Sequence, residues 1–522
     1  MERLGKSAIG LAFGIIVFLL VAIPFLAQGF RTGAIASGGT PPVMAASCSE
    51  SDVATALTTA ASRPDGTVVQ IPAGTCTWTG ASAITQTFTN SVTIQGAGAV
   101  SSTAGGAATT GTDQTTIIDN ITHGPSYSMA FTTTAGKSFR FTGIAVIQNA
   151  SSTTPNNGII VIDGPSTSVR VDHCHFFMLL SAYEVAFEGS VTGVMDHNYI
   201  NTTDGEAGIA FDNGQGWNGG SSSDNGDASW ADSDHWGSSE FMFLEDSRIE
   251  APIGDSHDGG RYVIRHCTVQ TSSNGQMFNH GVTDSRGRGV RAAEVYANTF
   301  DNTGNNSNPT YSVNSGTLLY WGNAVTGGYQ NAILISYNFR TTAGGGSYHY
   351  VAPPNGWGFC GTAAGGPSSW DGNNNSSGYP CLDQPGRGQG QLLNGLGFPS
   401  AANTVTGTQT WPHEALSPIY VWNNNYVPQY YTAAPIIGNS TGGSGASITT
   451  QNTDFYVQFG TYGEIGTFNG TRGIGQGTFA GITATCTVGV GYWATDQSKL
   501  YVCSATNVWT AYYTPYQYPY PY

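Results

Sequence analysis

The sequence predicts an all-β solenoid, a chain wound into stacked coils as a parallel β-helix. Three observations predict it. A strand-turn phrase recurs, as Val-Arg-Val-Asp-His-Cys-His-Phe at 169–176, Val-Met-Asp-His-Asn-Tyr-Ile at 194–200 and Val-Ile-Arg-His-Cys-Thr-Val at 263–269. Looser copies start at Phe243, Val295, Ile335 and Val421. The spacing fits one coil per repeat: Val171 and Val194 lie 23 residues apart, Phe243 and Val263 lie 20 apart, and short solenoid repeats have such periods. Composition agrees. Gly is 72 of 522 residues and charged residues are 10%; helix formers are scarce, while Val, Ile, Thr, Tyr and Phe, which suit a pleated surface, abound.

At the N-terminus, Arg3 and Lys6 precede an uncharged apolar run from Ala8 to Ala27, with Ala34-Ile35-Ala36 as a small-residue cleavage site. Residues 1–36 read as a secretory signal peptide or as a membrane anchor, because the run is also near the ~20 residues needed to span. Either outcome places the chain outside the cytoplasm, secreted or at the cell surface. The eight Cys fit that setting. The close pairs Cys48/Cys76, Cys360/Cys381 and Cys486/Cys503 read as disulfides, and Cys174 and Cys267, at one position of the repeated phrase, as buried thiols.

Ser51 is expected to cap a short helix with Val53, Ala56, Leu57 and Ala60 on its buried face. Gly66–Gly74 follows as strand and turn. Strand-like runs recur at Val92–Gln95, Thr116–Asp119, Phe139–Val146 and Ile159–Asp163. Two long insertions interrupt the coils, Asp212–Ser239 and Thr341–Thr410, and loops of that length are usually functional or disordered. Aligning the copies puts Cys174, Asn198, Ser247, Cys267, Asn298, Asn338 and Asn424 at one turn position. Coils stack about 4.8 Å apart, so these side chains form a ladder in which each amide donates to one neighbour and accepts from another. Asn also tolerates a left-handed bend. His173, His197 and His266 share a position and read as part of the turn.

From about Gly473 the character changes. Cys486–Cys503 encloses a hairpin carrying Tyr492, Trp493 and Tyr501, and the chain ends in alternating Tyr and Pro, which blocks helix and favours an extended tail. That tail is expected to pack along the β-helix and cap its open end, or to form a glycan-binding or attachment module, since Tyr and Trp faces stack on sugars. The resulting organisation is 1–36 signal or anchor, 48–430 β-helix, 431–472 linker or terminal coil, and 473–522 a small disulfide-closed β module with its tail.

The cap helix, the Gly66–Gly74 phrase and the Asn/Cys ladder resemble right-handed parallel β-helix proteins of the pectate-lyase-like superfamily. Val-Asp-His-Cys-His-Phe at 171–176 is similar to the Val-Trp-Ile-Asp-His phrase of pectate lyases. The resemblance spans roughly 48–430 and implies the fold. It does not settle the reaction, since the fold hosts lyases, hydrolases, epimerases and adhesins, and the chain shows neither the Ca²⁺-binding Asp set with Arg base of pectate lyases nor the paired-Asp motifs of polygalacturonases.

A net charge of −16 with 33 acidic and 17 basic residues argues against nucleic acid as partner and fits a polysaccharide. The densest ionisable cluster, Asp255, His257, Asp258 and Arg261 followed by His280, Asp284 and Arg286, is the expected catalytic region. A lyase needs a base and a cation to stabilise the enolate; a hydrolase needs two carboxylates. Arg with His favours the lyase, and Asp255 with Asp258 permits the hydrolase. Gly259-Gly260 marks a tight turn or a close backbone approach. Trp217, Trp230 and Trp236, with Arg288, are expected to line the substrate groove, since exposed Trp in a polar loop is unusual. Asp224, Asp227, Asp232 and Asp234 offer oxygens for Ca²⁺. The expected function is an exported enzyme, lyase before hydrolase, acting on an acidic or plant-type glycan; the alternative is a non-catalytic surface or attachment protein displaying a rigid rod.

Overall fold

The computed structural model describes residues 41–80, 84–121, 127–149, 159–178, 185–202, 208–219, 226–250, 255–271, 277–279, 288–304, 309–336, 383–389, 415–429, 435–440 and 449–522. Pro41–Tyr522 forms one compact unit. The segment 1–36 and the Cys360/Cys381 pair lie outside the described residues. No helix among the described residues is long and apolar enough to cross a membrane.

The chain is a right-handed parallel β-helix. Each coil contributes a strand to a first sheet of twelve strands, a second of ten, and a third that is divided into two sheets of five. Every strand pair along these stacks is parallel and in register, so one inner column of the first sheet runs Val69, Ile94, Phe141, Val171, Met195, Leu244, Ile264, Val295, Tyr320, Val421 and Val457. All are buried. At about 1.5–3 kcal/mol per large apolar side chain removed from water, this column and its counterparts supply the main favourable term of the stack. Strands Val43–Met44, Ile437–Ser440 and Phe455–Val457 carry the sheets beyond the 48–430 expected from the repeats.

Helix α1, Glu50–Ala61, covers the N-terminal end, with Val53, Ala56, Leu57 and Ala60 buried. Its cap is Ser49, not Ser51. Ser49 has extended backbone and its hydroxyl accepts from the Asp52 amide at 3.3 Å, whereas Ser51 already lies inside the helix. The Cys48–Cys76 disulfide ties the helix entry to the second sheet.

The turn from first to second sheet explains the repeated phrase. The residue with left-handed backbone is Gly143, His173, His197, Asp246, His266, Ala297, Gly322 and Asn423 in successive coils, one position before the ladder residue. The ladder residue itself does not take the bend; it takes hydrogen bonds. The Cys174 amide donates to Asn198 Oδ1 (3.0 Å), the Asn198 amide to Ser247 Oγ (3.2 Å), Cys267 to Asn298 (2.9 Å), Asn298 to Asn323 (3.0 Å) and Asn323 to Asn424 (2.9 Å). Asn323 stands where Asn338 was expected. Asn338 lies outside the described residues, and its strand Ile333–Ser336 belongs to the third sheet, so the alternation at Ile335 belongs to a different side of the coil. Cys174 and Cys267 are free, buried thiols, and burial pushes their pKa up. His173 and His197 stack with planes 2° apart, each held by the preceding Asp at 2.8 Å. They finish the turn.

After the last coil, Ile474–Gly477, Gly491–Ala494, Lys499–Ala505 and Val508–Tyr513 form a four-stranded sheet, mostly antiparallel, closed by Cys486–Cys503. Its Trp493 and Tyr513 pack on Leu319, Trp321 and Trp422 of the outer face of the first sheet. The tail then runs back along that face.

Candidate active site

The third sheet is where acidic residues converge. Its strands Ile160–Asp163, Val185–Phe187 and Ile209–Phe211 pair in register, Ile162 with Phe187 and Phe187 with Phe211. Because the inner residues are in register, the next residues, Asp163, Glu188 and Asp212, fall in one row at the edge of the turn into the first sheet, about 4.8 Å apart per coil. The sheet breaks after this point. Asp255–Ser256 begins the other five-stranded sheet, and the Phe211 amide donates to Ser256 Oγ (3.1 Å). His257 therefore follows Asp212 in the row, its amide donating to Asp212 Oδ1 at 2.7 Å with its ring Nδ1 3.4 Å from the same oxygen. On the outer face beside the row, Val161, Ala186 and Ala210 form a small apolar strip with Tyr127 and Ala130.

Glu188 is the titratable centre of the row. Burial, then the charges of Asp212, Asp163 and Asp258, raise its pKa to about 7 against the opposing hydrogen bond from Tyr127. The Tyr127 hydroxyl donates to Glu188 Oε1 at 3.1 Å. Asp163 is half-buried and receives the Gly164 amide at 2.6 Å. Asp258 sits at a left-handed turn, with its carboxylate held by Gln215 at 2.7 Å and its amide donating to the Arg288 carbonyl at 2.6 Å. A carboxyl proton-loaded near neutrality beside carboxylates is the pairing that acid–base glycan chemistry uses.

The turn residues close this site tightly. Gly259 has φ +71°, and a Cβ on Gly260 would sit 1.9 Å from the Phe211 carbonyl oxygen, so the Gly pair is both a turn and a close approach.

The insertion after Asp212 is anchored by residues expected to act on substrate. Arg261 is fully buried. Its Nε donates to Ser229 Oγ (2.9 Å), its Nη2 to the Ser229 carbonyl (2.6 Å) and its Nη1 to the Ser233 and Asp234 carbonyls (2.7 and 3.1 Å), while Trp217 lies 4.4 Å from its Cζ. Burial, then repulsion from Arg291, lowers its pKa to about 9. Arg288 is buried in a pairing with Asp383, which also receives the Gly289 amide at 2.8 Å. Both guanidiniums are spent on loop closure, so the enolate-stabilising role read from Arg261 is not open to it.

The tryptophan wall is likewise corrected. Trp230 is 0% exposed, donates to the Gly289 carbonyl at 2.8 Å and lies 4.8 Å from the Arg288 guanidinium; Trp217 is 6% exposed and donates to Asp232 at 2.9 Å. The half-buried Trp236 donates to Tyr512 of the C-terminal module at 3.0 Å. These rings fill the space under the loop, because a polar insertion lying on a β-helix needs apolar anchors.

Asp232 takes hydrogen bonds from Trp217 and Asn218, and Asp234 pairs with Arg291 at 2.6 Å. Burial opposes ionisation of Asp232, but bonds from Trp217, His235, the Ser233 amide and Asn218 outweigh it and hold its carboxyl below the usual range. Among the described residues there is no group of three or more His, Cys, Asp or Glu that could hold a metal ion. Asp224, His280, Asp284 and Arg286 lie outside the described residues. Asp227 opens the short helix α2, Asp227–Ala231, and Asp255 begins its strand.

Of the residues expected from sequence, His257 and Asp258 lie beside this row, whereas Asp163, Glu188 and Asp212 were not singled out from sequence as a set. The signal was there: Ile-Asp-Gly at 162–164, Phe-Glu-Gly at 187–189 and Phe-Asp-Asn-Gly at 211–214 are a second repeated phrase.

No protein-family model matches the chain, and no curated protein sequence matches it. Among solved structures it is similar to the catalytic domain of a GH87 alpha-1,3-glucanase in complex with nigerose. The identity is 11%, the match covers 75% of this chain and 66% of that one, just under two thirds, and the TM-score is 0.26. The fold assignment rests on the strand register above.

Proposed function

We propose that this chain is a polysaccharide-cleaving hydrolase whose acid is Glu188. The observation that carries the reading is a carboxyl with pKa raised to about 7, flanked by carboxylates of the same row one coil away on each side. Glu188 protonates the leaving glycosidic oxygen, and Asp212 or Asp163 serves as the partner carboxylate. Tyr127 orients Glu188 through its hydroxyl, and His257 and Gln215 fix Asp212 and Asp258.

Hydrolysis replaces lyase chemistry as the preferred reaction because Arg261 and Arg288 are closed into the protein. Export fits the disulfides Cys48–Cys76 and Cys486–Cys503 among the described residues, since such bonds persist in oxidising compartments. The test is a panel of neutral and uronate glycans incubated with the protein and with Glu188→Gln. Reducing ends should form with the parent protein and fall about 10²–10⁴-fold with the variant, the range of a general acid's contribution. Ultraviolet-absorbing unsaturated ends would overturn hydrolysis in favour of elimination. No product from any glycan would favour the rigid-rod alternative.

A further inference from the structure

The last seven residues lie across the outer face of the first sheet. Tyr516 and Tyr520 pack at a tilt against Phe243, with centroids 5.4 and 4.9 Å away. Tyr518 stacks on His266 at 3.6 Å, and its hydroxyl donates to Asp246 at 2.9 Å. Arg265 donates to the Tyr516 and Gln517 carbonyls at 2.9 and 2.8 Å, the Tyr520 amide donates to Glu245 at 2.8 Å, and Tyr522 lies 5.2 Å from the Arg170 guanidinium. The segment forms a strap.

What lies under the strap is a built groove. Its floor is apolar and aromatic: Val194, Phe243, Val263, Ala292 and Tyr296. Its edge is a ladder of ion pairs: Arg140–Asp172 at 2.6 Å, Arg170–Asp196 at 2.8 Å and Arg265–Glu245 at 2.7 Å. The first two pairs are bidentate, Arg170 and Arg265 lie beside ring faces, and the charges balance pair by pair. The pairs are held within the sheet by neighbouring coils, so the groove does not need the strap for its shape.

The strap is built to be displaceable. Pro519 and Pro521 have no N–H and cannot extend a strand ladder, and Tyr518 and Tyr522 are 42% and 47% exposed. We propose that this face is a second, non-catalytic binding groove for a neutral polysaccharide chain, and that the tyrosine strap is its intramolecular occupant. Sugar rings take the places of the tyrosine rings on Phe243 and His266, and sugar hydroxyls take the hydrogen bonds that Arg265 now donates to the strap and that Glu245 and Asp246 accept from it. The balanced charges select a neutral chain over a uronate polymer.

Occupancy sets the magnitude. If the strap is seated about nine-tenths of the time, it weakens apparent glycan affinity about tenfold. Native affinity electrophoresis through dextran, laminarin or polygalacturonate compares the full chain with one truncated after Thr514. Truncation should lower the concentration of dextran or laminarin needed for retardation about tenfold, and the synthetic peptide Pro-Tyr-Gln-Tyr-Pro-Tyr-Pro-Tyr should reverse the gain. Equal retardation of both proteins overturns the proposal, as does a gain on polygalacturonate alone. Should the truncated chain not fold, Tyr518→Ala with Tyr520→Ala in the full chain must show the same gain; unchanged retardation there overturns it equally.

Discussion

Replacing Glu294 by Gln tests the electrostatics of the junction between the β-helix and its C-terminal module. Glu294 is 0% exposed on the outer face of the first sheet. It accepts the Gly237 amide at 2.8 Å and the Tyr513 hydroxyl at 2.7 Å, so it joins the coil, the long insertion and the module. Burial raises its pKa from 4.5 to about 7, against the smaller opposing effects of the Gly237 and Tyr513 hydrogen bonds and of Arg265. Its folded-state pKa lies above its unfolded value. Between about pH 4.5 and 7 the unfolded chain has therefore released a proton that the folded chain keeps. Stability falls as pH rises through that window, by 1.36 kcal/mol per pH unit, or about 3 kcal/mol in total. Glu188 contributes a slope of the same sign, so the informative quantity is the difference between parent and Glu294→Gln. Urea unfolding at pH 4.5 and pH 8, followed by tryptophan fluorescence, to which Trp321, Trp422 and Trp493 at the junction contribute, gives the two stabilities. The parent should lose about 3 kcal/mol more than the variant across this range. Equal losses would refute the account of Glu294 as a neutral, buried acid.

Other outcomes follow from the same geometry. Glycan cleavage should decline as pH rises through about 7, where Glu188 loses its proton, and a rate that instead increases through that range would remove Glu188 as the acid. Asn298→Ala should destabilise by about 1–3 kcal/mol, because it orphans the buried Cys267 amide and Ile264 carbonyl; denaturant midpoints check this. Trp230→Ala should cost about 3–5 kcal/mol and expose 226–239 to limited proteolysis, whereas a substrate-wall tryptophan would leave stability unchanged. Cys486→Ser with Cys503→Ser should lower stability by about 3 kcal/mol for a loop of this length, seen as a lower melting temperature of the module.

The architecture was legible because a solenoid is nearly one-dimensional: each coil needs only the coils beside it. Alternation along Val169–Asp172 assigns inner and outer residues locally, and the Asn and Cys positions announce the turn that stacks them. The chemistry was less legible. The Asp255–Arg261 cluster drew attention because its charges are adjacent in sequence, yet Arg261 is bonded to backbone carbonyls of the insertion. The long insertion misled in the same way, since alternating Trp and Asp look the same whether they face solvent or anchor a loop.

By itself, then, the sequence determined the strand period, the turn chemistry and the coil repeat, because these depend on residues a few positions apart or at one fixed spacing. Tertiary structure alone decided which charges are free to act. Asp163, Glu188 and Asp212 stand 24 or 25 residues apart, and only the register of stacked strands makes them neighbours whose mutual repulsion and shared burial lift Glu188. The same holds for the Tyr-Pro tail, whose composition says extended but whose seat on Phe243 and Arg265 depends on side chains about 250 residues earlier.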